Sequence, residues 1–540
     1  MENHHPAFAS APLDRRAFLA QGLAAGALAL LPSSAQGAET MPDFPFEELT
    51  IAQLQAAQQA GQTSAAELTG QYLRRIEALD HSGPHLNAVI ELNPEALTLA
   101  AALDQERRHR GPRGPLHGIP VLLKDNIDTG DRMQTTAGSL ALAGSIAARD
   151  ATLAARLRAA GALILGKTNL SEWANFRASR STSGWSGRGG LTRNPYALDR
   201  NACGSSSGAA VAVSANLCAV AIGTETDGSI VCPATINGIV GLKPTLGLVS
   251  RRGIIPIAHS QDTAGPMSRS VADAALLLAA IAGPDPADPA TAGCPPVPDY
   301  AAGLDAAGLR GARLGVVRNC FGFNDAVDRL MEQSLAALRH LGAELVDPVE
   351  LPNLDAYGDS ELEVLLYEFK ADLNAYLGNL PPGAAVHSLA EVIAFNEAHA
   401  ERELPFFGQD LLIKAQSKGD LSTPAYLEAL ARNQRLSRAE GIDALLAAHR
   451  LDALVAPTGG PAWLTDLING DHPGGGSSSP AAVAGYPHLT VPAGFVAGLP
   501  VGLSFFAGAW SEAALLRFGF AFEQGTRARR PPQFLHSLGY

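Results

Sequence analysis

Lysine is scarce in this 540-residue chain: of 40 basic residues only six are lysines, at 124, 167, 243, 370, 414 and 418. Each one that ends an apolar run therefore stands out. Cysteine is scarce as well. The five cysteines (203, 218, 232, 294 and 320) are odd in number and lack the short paired intervals of metal sites. Three lie in or near apolar segments, where a free thiol behaves as a small hydrophobe. No obligatory disulfide framework is expected. A catalytic Cys203 or Cys232 would need a histidine partner that no motif supplies. None of the 14 histidines falls in a His-Glu-x-x-His or comparable pattern, so no metal or other cofactor is expected. His4, His5, His81, His85 and His109 read as surface or loop residues. No Gly-x-Ser-x-Gly elbow follows a strand, although a Ser-His-Asp triad needs no sequence adjacency and histidine stays open on that ground. Basic charge is also short. The 53 acidic residues outnumber the 40 basic ones, leaving a net charge of −13, which argues against a nucleic-acid partner. With 46% hydrophobic and 17% charged residues, the composition is globular rather than disordered.

What the chain does have is a stretch of small residues interrupted by apolar runs, from 201 to 245. It reads Cys203-Gly-Ser-Ser-Ser-Gly208, then Thr224-Glu-Thr-Asp-Gly-Ser-Ile-Val-Cys-Pro-Ala234, then Gly241-Leu-Lys-Pro-Thr245. Glycine lets main-chain N–H groups approach a ligand closely. A serine in such a loop can sit among convergent donors, the arrangement that a developing oxyanion needs. A flexible Gly/Ser linker fits poorly, because the runs 209–213, 219–222 and 236–242 are apolar.

Elsewhere the chain alternates apolar runs with helical periodicity. Strands are expected at 88–92, 119–123, 162–165, 219–223, 314–317, 453–455 and 503–506, with a hairpin at 494–502 joining 489–492 to the last of these. Helices are expected at 47–60, 64–79, 94–108, 152–160, 271–281, 325–341 and 511–523. Ser64-Ala-Ala-Glu67 is a capping box, and Pro94 suits a first turn. This alternation favours a mixed sheet covered by helices, an α/β class. Residues 350–450 have a different texture, with long helical periodicity at 362–377, 388–403 and 424–448. They read as a helical insertion, either shaping a substrate cleft or forming a peripheral cap. At the other end, Asp14-Arg-Arg-Ala-Phe-Leu19 precedes an apolar run to Leu31 and small residues to Ala38. That is the pattern of an export signal of the twin-arginine type over 1–38, cleaved within 35–38. A membrane anchor would need a span of about 20 residues.

The 201–245 motifs, together with Gly118-Ile-Pro-Val-Leu-Leu-Lys-Asp-Asn126, Leu165-Gly-Lys-Thr-Asn-Leu170 and Gln261-Asp-Thr-Ala-Gly-Pro266, resemble the amidase signature family. Within it, they resemble the bacterial peptide amidases. The resemblance covers most of the chain after about residue 45. It implies a single large α/β/α domain around a twisted mixed sheet of about 11 strands. Physical reasoning alone does not separate Lys124, Lys167 and Lys243, each of which follows an apolar run. The resemblance assigns the base to Lys124, the bridging serine to Ser205 (after a cis peptide bond) and the nucleophile to Ser229. Ser206 and Ser207 are rivals for the bridge. It also assigns the oxyanion hole to the backbone N–H groups of Thr226, Asp227, Gly228 and Ser229. The Asp227 side chain is expected to accept hydrogen bonds within the loop.

Two positions depart from the broad family pattern: Cys203 replaces the first of two glycines, and Val231-Cys232 stands where many members carry arginine. The implied function is an exported, monomeric serine amidohydrolase, periplasmic or secreted, that acts on small or short peptide amides, C-terminal peptide amides above all. Rival readings are a broader aryl or aliphatic amidase, a tRNA amidotransferase component that transamidates charged transfer RNA, and a periplasmic binding protein with a dead site. No stable membrane insertion is expected after signal removal.

Overall fold

The computed structural model describes residues 44–539; the expected export signal lies outside them. Thirteen strands occur in chain order. They are β1 Val89–Leu92, β2 Pro120–Lys124, β3 Leu163–Thr168, β4 Trp185–Ser186, β5 Gly190–Leu191, β6 Val220–Glu225 and β7 Val240–Lys243, followed by β8 Thr263–Ser268, β9 Arg313–Val317, β10 Glu344–Val349, β11 Ala453–Pro457, β12 His488–Val496 and β13 Leu499–Phe506. Eleven of them form one mixed sheet in the order β1-β3-β2-β6-β8-β7-β12-β13-β11-β9-β10, while β4 and β5 pair separately. The expected mixed sheet of about 11 strands is therefore present.

β2, β3 and β6 are buried along their whole length, which is why they read as unbroken apolar runs rather than alternating ones. β2 and β6 are parallel neighbours, with Leu122 opposite Ala221 and Leu123 opposite Ile222. Their carboxyl ends, Lys124 and Glu225, consequently emerge at the same edge of the sheet. Open α/β sheets present their ligand crevices at such an edge. Two short helices start from the loops at this edge, Ser207–Ser214 and Val231–Ile236. Longer helices, Val271–Ile281, Asp325–His340 and Glu512–Thr526, bury apolar faces in the main core.

Side-chain caps begin many of the helices. Ser64 accepts from the Glu67 N–H, Ser270 from Asp273 and Ser388 from Glu391. The helix expected at 47–60 begins only at Ile51, because Thr50 and Gln53 close a capping box there. The region 350–450 is helical as expected, with helices Gly358–Leu377, Leu389–Ala398 and Pro424–Gln434 and an additional one at Asp410–Gln416. Its apolar face packs on Trp173, Phe176, Ile255 and Ile257 through Phe369, Leu373, Leu389 and Leu412. Arg177, only 1% exposed, fastens this contact by donating to Glu172 Oε1 at 2.8 Å and to the Glu403 carbonyl at 2.6 Å.

β8 was not expected as a strand, because its sequence Thr-Ala-Gly-Pro-Met-Ser carries two strand-weakening residues. It nevertheless pairs between β6 and β7, and the close approach of β7 leaves no room for a side chain at position 265. A Cβ on Gly265 would lie 2.0 Å from the Leu242 carbonyl oxygen. Gly265→Ala should therefore destabilise the fold by about 1–3 kcal/mol or more through overpacking. Gly114→Ala, where a Cβ meets nothing within 4 Å, should be near neutral. Denaturant midpoints of the two variants check the contrast, and equal midpoints would contradict the packing argument.

Candidate active site

Lys124 is fully buried at the end of β2. Its Nζ lies 2.7 Å from Ser205 Oγ, 2.9 Å from Thr224 Oγ1 and 3.2 Å from the Thr224 carbonyl oxygen. None of these partners is a carboxylate. Burial therefore dominates and lowers the lysine pKa to about 7, against the weaker opposing charges of Asp262 and Glu225. A neutral amine here has two N–H groups for Thr224 and one lone pair for the Ser205 hydroxyl, so every polar atom is accounted for.

The structure separates the three lysines that sequence physics left equivalent. Lys167 Nζ donates to the Ile127 carbonyl at 2.6 Å and to Thr135 Oγ1 at 3.0 Å, away from the signature serines. Lys243, its pKa lowered to about 8 by burial, feels the opposing charges of Glu225 and Glu512. Only Lys124 hydrogen-bonds to a serine of the 205–207 run among the described residues. The rivals of Ser205 have local duties: Ser206 Oγ donates to the Thr224 carbonyl at 3.0 Å, and Ser207 Oγ donates to the Cys203 carbonyl. The Gly204–Ser205 peptide bond is cis, as the resemblance implied.

Among the described residues, no histidine hydrogen-bonds to Ser205 or Ser229. His117 and His488 are fully buried; His117 Nε2 meets the Leu103 carbonyl, and His488 Nε2 meets Ser504 Oγ at 2.6 Å. His259 comes close to Glu368 and Asp372. Its Nδ1 faces Asp372 at 2.8 Å and its Nε2 faces Glu368 at 3.3 Å, so opposite ring edges are engaged. These contacts tie helix Gly358–Leu377 to the loop that precedes β8.

Ser229 stands just before helix Val231–Ile236, and its carbonyl accepts from the Ser206 N–H at 3.1 Å. The serine loops thus touch through their backbones. No hydrogen bond joins the Ser205 and Ser229 hydroxyls among the described residues; such bonds are often long before substrate binds. Glu225, missed at the level of sequence, organises the loop that carries Ser229. Its buried carboxylate accepts from the N–H groups of Gly228 (2.9 Å), Ile230 (2.7 Å) and Val231 (3.0 Å). This corrects two expectations. The Gly228 amide is already committed to Glu225, so it is not free for the oxyanion hole that the resemblance implied. Asp227 does not hold the loop either, since its Oδ1 is buried without a partner.

The third correction concerns cysteine. Cys203 and Cys232 form a disulfide, with Cα atoms 6.1 Å apart. The two departures from the family pattern are therefore one feature. The bond joins the residue two before Ser205 to the residue three after Ser229, and cross-links the loops that carry these two serines. A 29-residue separation carries no pairing signal in sequence. Cavities border the loop on either side of Ser229 in sequence: one of about 580 Å³ touches Thr224 and Thr226, and one of about 260 Å³ touches Val231, Cys232 and Ser478.

Cys218, Cys294 and Cys320 are free. Thiol titration of the denatured, unreduced protein should therefore give three thiols per chain and five after reduction; five in both states would contradict the cross-link.

Residues 67–516 match the model of the amidase family. A probable amidase of Arabidopsis thaliana is 42% identical over 94% of this chain and 96% of its own. A putative amidase of Schizosaccharomyces pombe is 37% identical over 91% of this chain and 88% of its own. Among solved structures, a peptide amidase in complex with the competitive inhibitor chymostatin is 59% identical with a TM-score of 0.88, and covers 91% of this chain and 100% of its own. The native peptide amidase of Stenotrophomonas maltophilia is 58% identical over the same shares, with a TM-score of 0.87. Fold, motifs and relatives agree: the chain belongs to the amidase family and is an amidase.

Proposed function

We propose that this amidase hydrolyses C-terminal peptide amides to the carboxylate and ammonia through Lys124, Ser205 and Ser229. The observation that carries the reading is the buried Lys124, its pKa lowered to about 7, with Nζ 2.7 Å from Ser205 Oγ, on a chain 59% identical to a peptide amidase structure. Lys124 takes a proton from Ser205 as Ser205 takes one from Ser229, and Ser229 Oγ attacks the amide carbon. The carbonyl oxygen becomes an oxyanion facing the amides of Thr226, Asp227 and Ser229. The relay then reverses, protonating the leaving nitrogen as the C–N bond breaks. Ammonia departs, and water, deprotonated by the same relay, cleaves the acyl-Ser229 ester. The acidic balance of the chain, −13, offers little to transfer-RNA phosphates, which favours hydrolysis over transamidation. On the pattern of residues 14–38 the enzyme is exported; N-terminal sequencing of the periplasmic protein should find a mature start between 36 and 39, and an intact Met1 would contradict export.

The base works only when neutral. The rate should therefore rise as pH rises through about 7, level off above it, and fall as Lys124 is protonated below it. Lys124→Met should remove this limb and lower kcat/KM by about 10²–10⁴. A fluorophosphonate should label Ser229, as read by mass mapping. Label on another residue, or a profile flat between pH 5.5 and 8.5 (roughly 1.5 units either side of that pKa), would overturn the assignment.

A further inference from the structure

The nucleophile loop carries a carboxyl group that its own architecture does not use. Asp227 lies two residues before Ser229, and its Oδ1 is buried without a donor. The loop's structural bonds go to Glu225 instead. A second carboxyl, Glu361 at the start of helix Gly358–Leu377, is brought to the same place by Gln261, whose Nε2 donates to Glu361 Oε1 at 2.9 Å and to the Thr226 carbonyl at 3.3 Å. A third group has no partner: the hydroxyl of Tyr357, a residue only 2% exposed. The Gln261 bridge sets the Glu361 carboxyl beside the residue that precedes Asp227; in agreement, burial and then the charge of Asp227 raise the pKa of both Tyr357 and Glu361, and the Asp227 and Glu361 side chains interact directly. Buried acceptors without donors are costly, and persist where a ligand completes them.

The four substituents of the tetrahedral intermediate say which donor that is. One is Ser229 Oγ, one is the oxyanion at the loop amides, and one is the leaving nitrogen, which must face Ser205 to receive its proton. The fourth is the acyl side. In an amino-acid or peptide amide, it brings a nitrogen on the α carbon.

Resting on the amide-hydrolase reading, we infer that Asp227 and Glu361 form the acceptor subsite for that α nitrogen, with Tyr357 as a third polar contact. The subsite would make the enzyme selective for amides of α-amino acids and peptides over plain carboxamides. It gives the 350–450 insertion a part in specificity, through Tyr357 and Glu361.

The test compares ammonia release from N-acetyl-glycyl-phenylalaninamide with release from its depsipeptide analogue, in which the phenylalanine N–H is replaced by an ester oxygen. 3-Phenylpropanamide serves as a plain carboxamide. A site with buried acceptors rejects an analogue lacking the donor, so the native enzyme should favour the N–H substrate by at least about 30-fold in kcat/KM. In Asp227→Asn and in Glu361→Gln that ratio should collapse to below about 5-fold. A native enzyme that treats both peptides alike, or variants that keep the native ratio or lose both substrates in parallel, would overturn the subsite. A native enzyme that hydrolyses only 3-phenylpropanamide defeats the peptide-amide reading instead, and one that hydrolyses none of the three defeats the amide-hydrolase mechanism.

Discussion

The site depends on the desolvation of one amine. Taking a lysine out of water penalises its charged form, and the penalty is normally offset by a carboxylate. All three buried lysines are shifted down by burial against nearby acidic charges: Asp125 for Lys167, Glu225 for Lys243, and Asp262 and Glu225 for Lys124. Lys124 alone of the three hydrogen-bonds a signature serine, in a shell of two hydroxyls and a carbonyl. Those partners stabilise a neutral amine as readily as a charged one, so burial prevails and the base is ready near neutral pH. A carboxylate hydrogen-bonded to Nζ would hold the proton and disable it.

The rest of the fold delivers the reacting groups to this amine. Parallel pairing of β2 with β6 sets Lys124 and the nucleophile loop at one sheet edge. Glu225 converts the end of β6 into a rigid turn by taking three N–H groups. The Cys203–Cys232 bond and the Ser206-to-Ser229 backbone contact fix the bridging loop against it.

Much of this is legible in the sequence alone. Strands buried on both faces announce themselves as apolar runs, which is why β2, β3, β6, β9 and β11 were found within about three residues of their limits, whereas β12 and β13 extend to Val496 and from Leu499, into the stretch expected to be the hairpin. Capped helices such as Ala65–Ile76 and Val271–Ile281 were equally plain. β8 was not, because Gly265 and Pro266 disguise a strand whose glycine answers to a neighbouring backbone. Lys124, Ser205 and Ser229 came from ordered motifs, and physics alone had left three lysines tied. Glu361, Gln261 and Tyr357 were missed for a different reason. Gln261 and Glu361 meet across 100 positions of chain, and no local pattern encodes a contact of that range. The disulfide was missed because two cysteines at an unremarkable spacing are indistinguishable from small hydrophobes until the loops are folded together.

Burial brings the Lys124 pKa down to about 7, so a large share of this amine is neutral at neutral pH, and lysine scarcity makes that directly measurable. With six lysines in the chain, ¹³Cε-lysine labelling yields a spectrum in which the Lys124 resonance is assigned by its loss in a Lys124→Met variant. The account predicts that this resonance titrates near pH 7. Titration of the assigned resonance near the ordinary lysine value, about 10.4, would contradict it.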